Sequence, residues 1–137
     1  MGHDVLINAT GLGSRYLQDV QDRNMLEVRS QTILAKSPCD KVYIRHGKDY
    51  LSGYTYVIPR LDGTVILGGI REYVVTSRPI DESTRHDLLR RVHANLPEVF
   101  PANPADFGIV SDLVGIQPQR EAGVRVERET IGSQEVI

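Results

Sequence analysis

Only one cysteine, Cys39, occurs in the 137 residues, so no internal disulfide forms and an intracellular, reducing compartment is the expected setting. An excess of either charge is also missing: 16 basic residues face 18 acidic ones, a net charge of -2. Spread along the chain, these charges create no field that would select nucleic acid or an anionic membrane surface. No apolar run approaches the roughly 18 to 20 residues that span a bilayer. Met1 is followed by polar residues rather than a charged and then apolar leader, and the sequence predicts a soluble protein. The ending Glu135-Val136-Ile137 is not a peroxisomal address. His3, His46, His86 and His93 show no paired zinc spacing, and no metal is expected. Ser14 follows Gly11-Leu12-Gly13 instead of sitting inside Gly-x-Ser-x-Gly, which excludes a hydrolase nucleophile elbow. Internal repeats and low-complexity tracts are absent. The length, with 40% apolar residues, suits one domain spanning residues 1–137.

What is present reads as short strands around one helix. Asp4 to Asn8 is an apolar run that stops at Ala9-Thr10-Gly11-Leu12-Gly13, the pattern of a buried strand entering a tight turn. Such a strand has neighbours on both sides, so a chain opening with one is expected to lack what preceded it. Ser14 is a candidate cap for a short helix from Arg15 to Val20. Gln31 to Lys36, Lys41 to Arg45 and Tyr54 to Pro59 have strand character and read as antiparallel neighbours. Asp62-Gly63 is a hairpin signal, with Val65 to Leu67 as the return strand. Asp81 opens a helix from Glu82 to Asn95, with Leu88, Leu89, Val92 and Leu96 on one face, and Pro97 ends it. Phe107 to Ile116, Val124 to Glu129 and Glu135 to Ile137 read as further strands. The fold class is therefore α+β, mostly antiparallel sheet with one main helix.

The chemistry lies in a combination. Val5-Leu6-Ile7-Asn8-Ala9-Thr10-Gly11, Tyr56-Val57-Ile58-Pro59-Arg60, Gly63 to Gly69, Val114-Gly115-Ile116 and Gly123 to Glu129 follow one another in an order and spacing that resemble the D-amino-acid oxidase family. Each piece alone is common, whereas five in register are specific. The resemblance implies the substrate-binding portion of a two-domain FAD oxidoreductase, with residues 4–13 as a strand and turn beside the flavin. Such enzymes pass the Cα hydride of a D-amino acid to FAD, release a 2-oxo acid and ammonia, and use oxygen to give hydrogen peroxide. The implied location is peroxisomal or cytoplasmic, and a homo-oligomer stays open.

Residue by residue, the resemblance places Arg125 as the guanidinium that clamps the substrate carboxylate, a bidentate geometry that suits Arg and not Lys. A surface arginine paired with Glu127 or Glu129 is the alternative. Tyr56 would hold the same carboxylate, and Tyr54, in competition with Tyr50, would be the second tyrosine. Thr10 and Gly11, with Arg125, would approach the flavin, since a residue without Cβ lets backbone come close to a cofactor. Arg45, His46 and Lys48 leave a D-aspartate oxidase as a further reading, because they could meet a second carboxylate. Three departures stand out: Arg29-Ser30-Gln31, Gly68-Gly69-Ile70 and Gly115-Ile116-Gln117-Pro118-Gln119-Arg120 differ from the family's Arg-Gly-Gln, Gly-Gly-Thr and Gly-Leu-Arg-Pro-x-Arg. There is also no Gly-x-Gly-x-x-Gly to seat a pyrophosphate, and the chain stops where the family's glycine-rich flavin loop is expected. These absences make an inactive remnant that does not bind FAD alone the rival expectation.

Overall fold

In the computed structural model, residues 5–47, 54–73, 78–131 and 134–136 are described. Five strands form one antiparallel sheet in the order β3-β4-β5-β2-β6, where β2 is Met25–Lys36, β3 Tyr43–His46, β4 Tyr54–Pro59, β5 Thr64–Tyr73 and β6 Ile109–Arg120. A helix, α1 (Glu82–Asn95), covers one face. A second, three-stranded sheet joins β1 (Val5–Leu6), β8 (Gln134–Val136) and β7 (Glu129–Ile131), with β1 parallel to β8. The α+β class with one main helix is what the sequence predicts.

The core lies between the sheet and α1. Alternate residues of each strand point to one face, so Ile33 and Ala35 of β2, Val57 of β4 and Val65 and Leu67 of β5 meet Leu88, Leu89 and Val92 of α1. Phe100 and Phe107 close one end as a stacked pair with ring centroids 5.7 Å apart. The β4–β5 hairpin turns at Asp62-Gly63, where Gly63 alone takes a positive φ, +78°. Asp62 Oδ1 accepts from the Thr64 amide at 3.0 Å, an Asx turn that sets the return strand.

Several local expectations give way to tertiary context. Among the described residues β1 has only β8 beside it, and its residues are exposed rather than buried. Residues 11–15 form a 3-10 turn, and the Ser14 hydroxyl donates to the Gly11 carbonyl at 2.8 Å instead of capping a helix over 15–20. β2 does not lie beside β3 but sits between β5 and β6. Phe107 is a core residue ahead of β6, and residues 124–128 are not strand, with β7 beginning only at Glu129.

The start of α1 is tied down by two polar devices. Asp81 caps it, accepting from the Ser83 and Thr84 amides at 2.8 and 3.3 Å. Gln31 exchanges two 2.9 Å bonds with the Asp81 backbone, and the buried Arg29 donates to Gln31, to the Pro79 carbonyl and to Glu72. The Ser83 hydroxyl first, then the Thr84 and Ser83 amides, hold the Asp81 carboxyl below its ordinary value of 3.8. Because the folded value is the lower one, this stabilisation is complete above the unfolded value and is lost as pH falls through the folded one. Thermal melts between about pH 5 and pH 2 are therefore expected to show a shallower acid loss for Asp81→Asn than for wild type. An identical slope in the two proteins would remove the cap from the account of acid stability.

Candidate functional site

Among the described residues, no α-helix covers the face of the sheet away from α1. Tyr54 and Tyr56 stand there on β4, two residues apart and hence on one face. Their rings lie 5.5 Å apart between centroids, and Tyr56 pairs directly across to Gly68 of β5. Burial, ahead of the neighbouring Tyr54, raises the Tyr56 phenol above its ordinary value, so it is a neutral donor at physiological pH.

β5 carries a bulge at this point. Gln31 pairs with Ile70 and Ile33 with Leu67, so Thr32 faces both Gly68 and Gly69. Gly69 takes φ +150°, and a Cβ there would sit 1.8 Å from the Tyr54 carbonyl oxygen. The extra residue reverses the alternation. Ile70 turns to the core, Glu72 reaches Arg29, and Arg71 comes out beside the tyrosines with its guanidinium carbon 5.1 Å from the centre of the Tyr54 ring. Sequence reasoning missed Arg71. Its signal was the Gly68-Gly69 pair, which marks a bulge inside an otherwise regular strand.

A second feature lies at the far end of β2 and β6. Here a cleft of about 460 Å³ is lined by Ile7, Asn8, Thr10, Gly11, Val124, Arg125 and others. Gly11 has φ +57°, a left-handed turn that favours glycine, and its α-carbon faces the Pro118 ring. The Asn8 side chain accepts from the Thr10 hydroxyl at 2.8 Å and holds the turn. Arg125 is bound by both Glu127 and Glu129, and the Glu127 hydrogen bond, the largest influence, raises its pKa further. At the cleft wall, Asp22 takes a 2.9 Å bond from Arg120 Nε, which is the first cause holding its carboxyl below the ordinary value.

Thr10, Gly11 and Arg125 thus come together from opposite ends of the chain. Tyr54 and Tyr56 do not line this cleft, and among the described residues no hydrogen bond, ion pair or ring contact joins either to Arg125. Arg125 forms the two acidic pairs that the sequence offered as its alternative. Of the charges near the tyrosines, Arg45 donates to Asn95 at 2.8 Å and His46 has its ring 6.1 Å from that of Tyr54. Tyr50 and Lys48 lie outside the described residues. Among the described residues no three metal-ligating side chains cluster, and no helix is long and apolar enough to cross a membrane.

A half-covered antiparallel sheet with one helix, and a cleft at its end lined by a glycine turn and a guanidinium, defines an α+β domain. The model of the family described as FAD dependent oxidoreductase matches residues 2–135, and the chain belongs to that family. A D-amino-acid oxidase of Schizosaccharomyces pombe is 35% identical over 93% of this chain and 36% of its own length. A D-aspartate oxidase of Cryptococcus neoformans var. grubii is 30% identical over 93% of this chain and 41% of its own. The chain therefore spans well under half the length of these relatives. In fold it is similar to the glycine oxidase of Geobacillus kaustophilus, with TM-score 0.69 and 15% identity over 99% of this chain and 36% of that one.

Two features of this cleft would suit an edge of the family's FAD. Gly11 offers backbone without a Cβ, and Val124 and Val126 are exposed apolar surface at 91% and 83%. No glycine fingerprint for the pyrophosphate accompanies them.

Proposed function

We propose that this chain carries the substrate-binding part of an FAD-dependent oxidase that converts D-amino acids to 2-oxo acids and ammonia with release of hydrogen peroxide, in a peroxisomal or cytoplasmic setting. The observation that carries the reading is the cleft in which Thr10, Gly11 and Arg125 meet. Bound FAD would accept the substrate's Cα hydride and return the electrons to oxygen. The protein's own part is to hold and orient. Thr10 and Gly11 would lie against the cofactor edge, and Arg125 would take the substrate carboxylate in two parallel bonds. Glu127 and Glu129 already occupy the guanidinium. Exposed ion pairs contribute little, so an incoming carboxylate can replace them. Tyr56, neutral and half-buried, stands outside this cleft and would donate to a carboxylate lying over β4 and β5, with Tyr54 packed against it.

Arg71 favours a second reading within the same chemistry. A guanidinium beside two phenols suits a substrate whose side chain is itself a carboxylate, such as D-aspartate. On that reading Arg71→Leu lowers kcat/KM for D-aspartate relative to D-alanine by about tenfold, the equivalent of one charge-assisted hydrogen bond. Equal losses for both substrates would place Arg71 outside the subsite.

The test takes the purified protein with FAD, records flavin absorbance in the protein fraction and assays peroxide with D-alanine, D-aspartate and L-alanine. Peroxide from the D-enantiomers alone is the expected result for protein that retains flavin. Flavin-loaded protein that oxidises none of them overturns the oxidase reading. Colourless protein without turnover supports the rival, a non-catalytic chain that does not hold FAD alone, in keeping with the missing fingerprint.

A further inference from the structure

We propose that Gly68 is a positioning residue for Tyr56: by having no side chain it lets the Tyr56 ring lie down across β5, so that the phenol ends over the middle strand of the sheet instead of standing out from it. The inference rests on the assignment of Tyr56 to the substrate carboxylate and deepens it by naming what holds that group in place.

The geometry is specific. A Cβ built on Gly68 would lie 2.1 Å from Tyr56 Cζ and 2.3 Å from its hydroxyl oxygen. Real Cβ atoms do not approach heavy atoms so closely, so any side chain at 68 displaces the ring. The position needs glycine for no backbone reason, because Gly68 is not among the residues with positive φ. Gly69 is the opposite case, where a Cβ would run into backbone, the Tyr54 carbonyl. At Gly68 the obstruction is the far end of a side chain that can swing aside. The energetic consequence differs accordingly. Substitution at 69 strains the β4–β5 ladder, whereas substitution at 68 moves one phenol and leaves the ladder standing. Tyr54 lies against the Tyr56 ring with centroids 5.5 Å apart, and β5 is the centre of the five strands. A ring held between Tyr54 and a bare stretch of β5 has little freedom left, and a preorganised donor loses less entropy on binding than a mobile one.

The experiment compares wild type, Tyr56→Phe, Gly68→Ala and the double variant Gly68→Ala/Tyr56→Phe. Propionate serves as the carboxylate probe and its dissociation constant is measured by NMR titration. Ring placement is read from the Tyr56 resonances of ring-labelled protein, and folding from thermal melts. Tyr56→Phe is expected to weaken propionate binding by on the order of tenfold, the range of one hydrogen bond to a charged group. Gly68→Ala is expected to weaken it about as much, with a melting temperature within about 5 °C of wild type and shifted Tyr56 resonances. In the double variant the two losses should not add, because both remove the same contact.

If Tyr56→Phe leaves propionate binding unchanged, the role of Tyr56 is wrong and the inference falls with it. If Tyr56→Phe weakens binding while Gly68→Ala does not, or if the losses add fully, Tyr56 keeps its role and Gly68 loses its own. Should Gly68→Ala fail to fold, Gly68→Ala/Tyr56→Ala decides the matter. Recovery of folding there locates the obstruction at the ring, and continued failure overturns the proposal.

Discussion

Replacing Arg29 by alanine is expected to lower the free energy of unfolding by about 3 kcal/mol, the lower end of the range for breaking a buried ion pair. Arg29 is 2% exposed and reaches Glu72, the Gln31 side chain and the Pro79 carbonyl. Its removal leaves these acceptors facing apolar surroundings without a donor, which costs more than the lost attraction. Glu72 is 27% exposed, so water takes over part of the loss, which is why the lower end of the range applies. The damage should also travel. Gln31 is held by Arg29 on one side and holds the Asp81 backbone on the other, so the start of α1 loosens with the arginine. Urea unfolding followed by circular dichroism measures the effect, and hydrogen exchange at the first turn of α1 locates it. A loss below about 1 kcal/mol, the scale of a surface pair, would mean that the network does not anchor the helix.

The second large effect concerns substrate. In flavin-loaded protein, Arg125→Ala is expected to raise KM for D-alanine by on the order of 30-fold or more, the range for stripping one partner from a hydrogen-bonded charge pair. Arg125→Lys should recover little of this, since an ammonium offers a point charge and not two parallel donors. Glu129→Gln makes the complementary change: it removes one of the carboxylates that now hold the guanidinium and should lower KM or leave it as it is. Steady-state rates over a range of D-alanine concentrations decide the question. An Arg125→Ala enzyme with unaltered KM would assign the arginine to its acidic neighbours alone.

These expectations draw on different depths of the sequence. α1 was legible to the residue, because a capping aspartate, a 3.6-residue apolar period and a closing proline are all local signals. The β4–β5 hairpin was legible for the same reason, through Asp62-Gly63. The order of strands was not. β2 lies between β5 and β6, far from it in sequence, and strand character says nothing about which distant strand completes the ladder. Arg29-Ser30-Gln31 showed the limit on the site side. As a motif it read only as a departure from the family's Arg-Gly-Gln, whereas in the fold Arg29 and Gln31 face the helix and Ser30 alone stays on the other side, near Gly115.

By itself the sequence determined the α+β class and the main helix, and five motifs in register carried the resemblance to the family. Class and helix follow from composition, periodicity and short signals, which depend on neighbours a few residues away. The tertiary structure decided where those residues go. One extra residue in β5 turned Ile70 and Glu72 inward and Arg71 outward, and packing at the end of β2 and β6 brought Gly11 and Arg125 to one cleft. The physical reason is that side-chain direction in a sheet follows register, and register is set by contacts between strands distant in sequence, which no local pattern encodes.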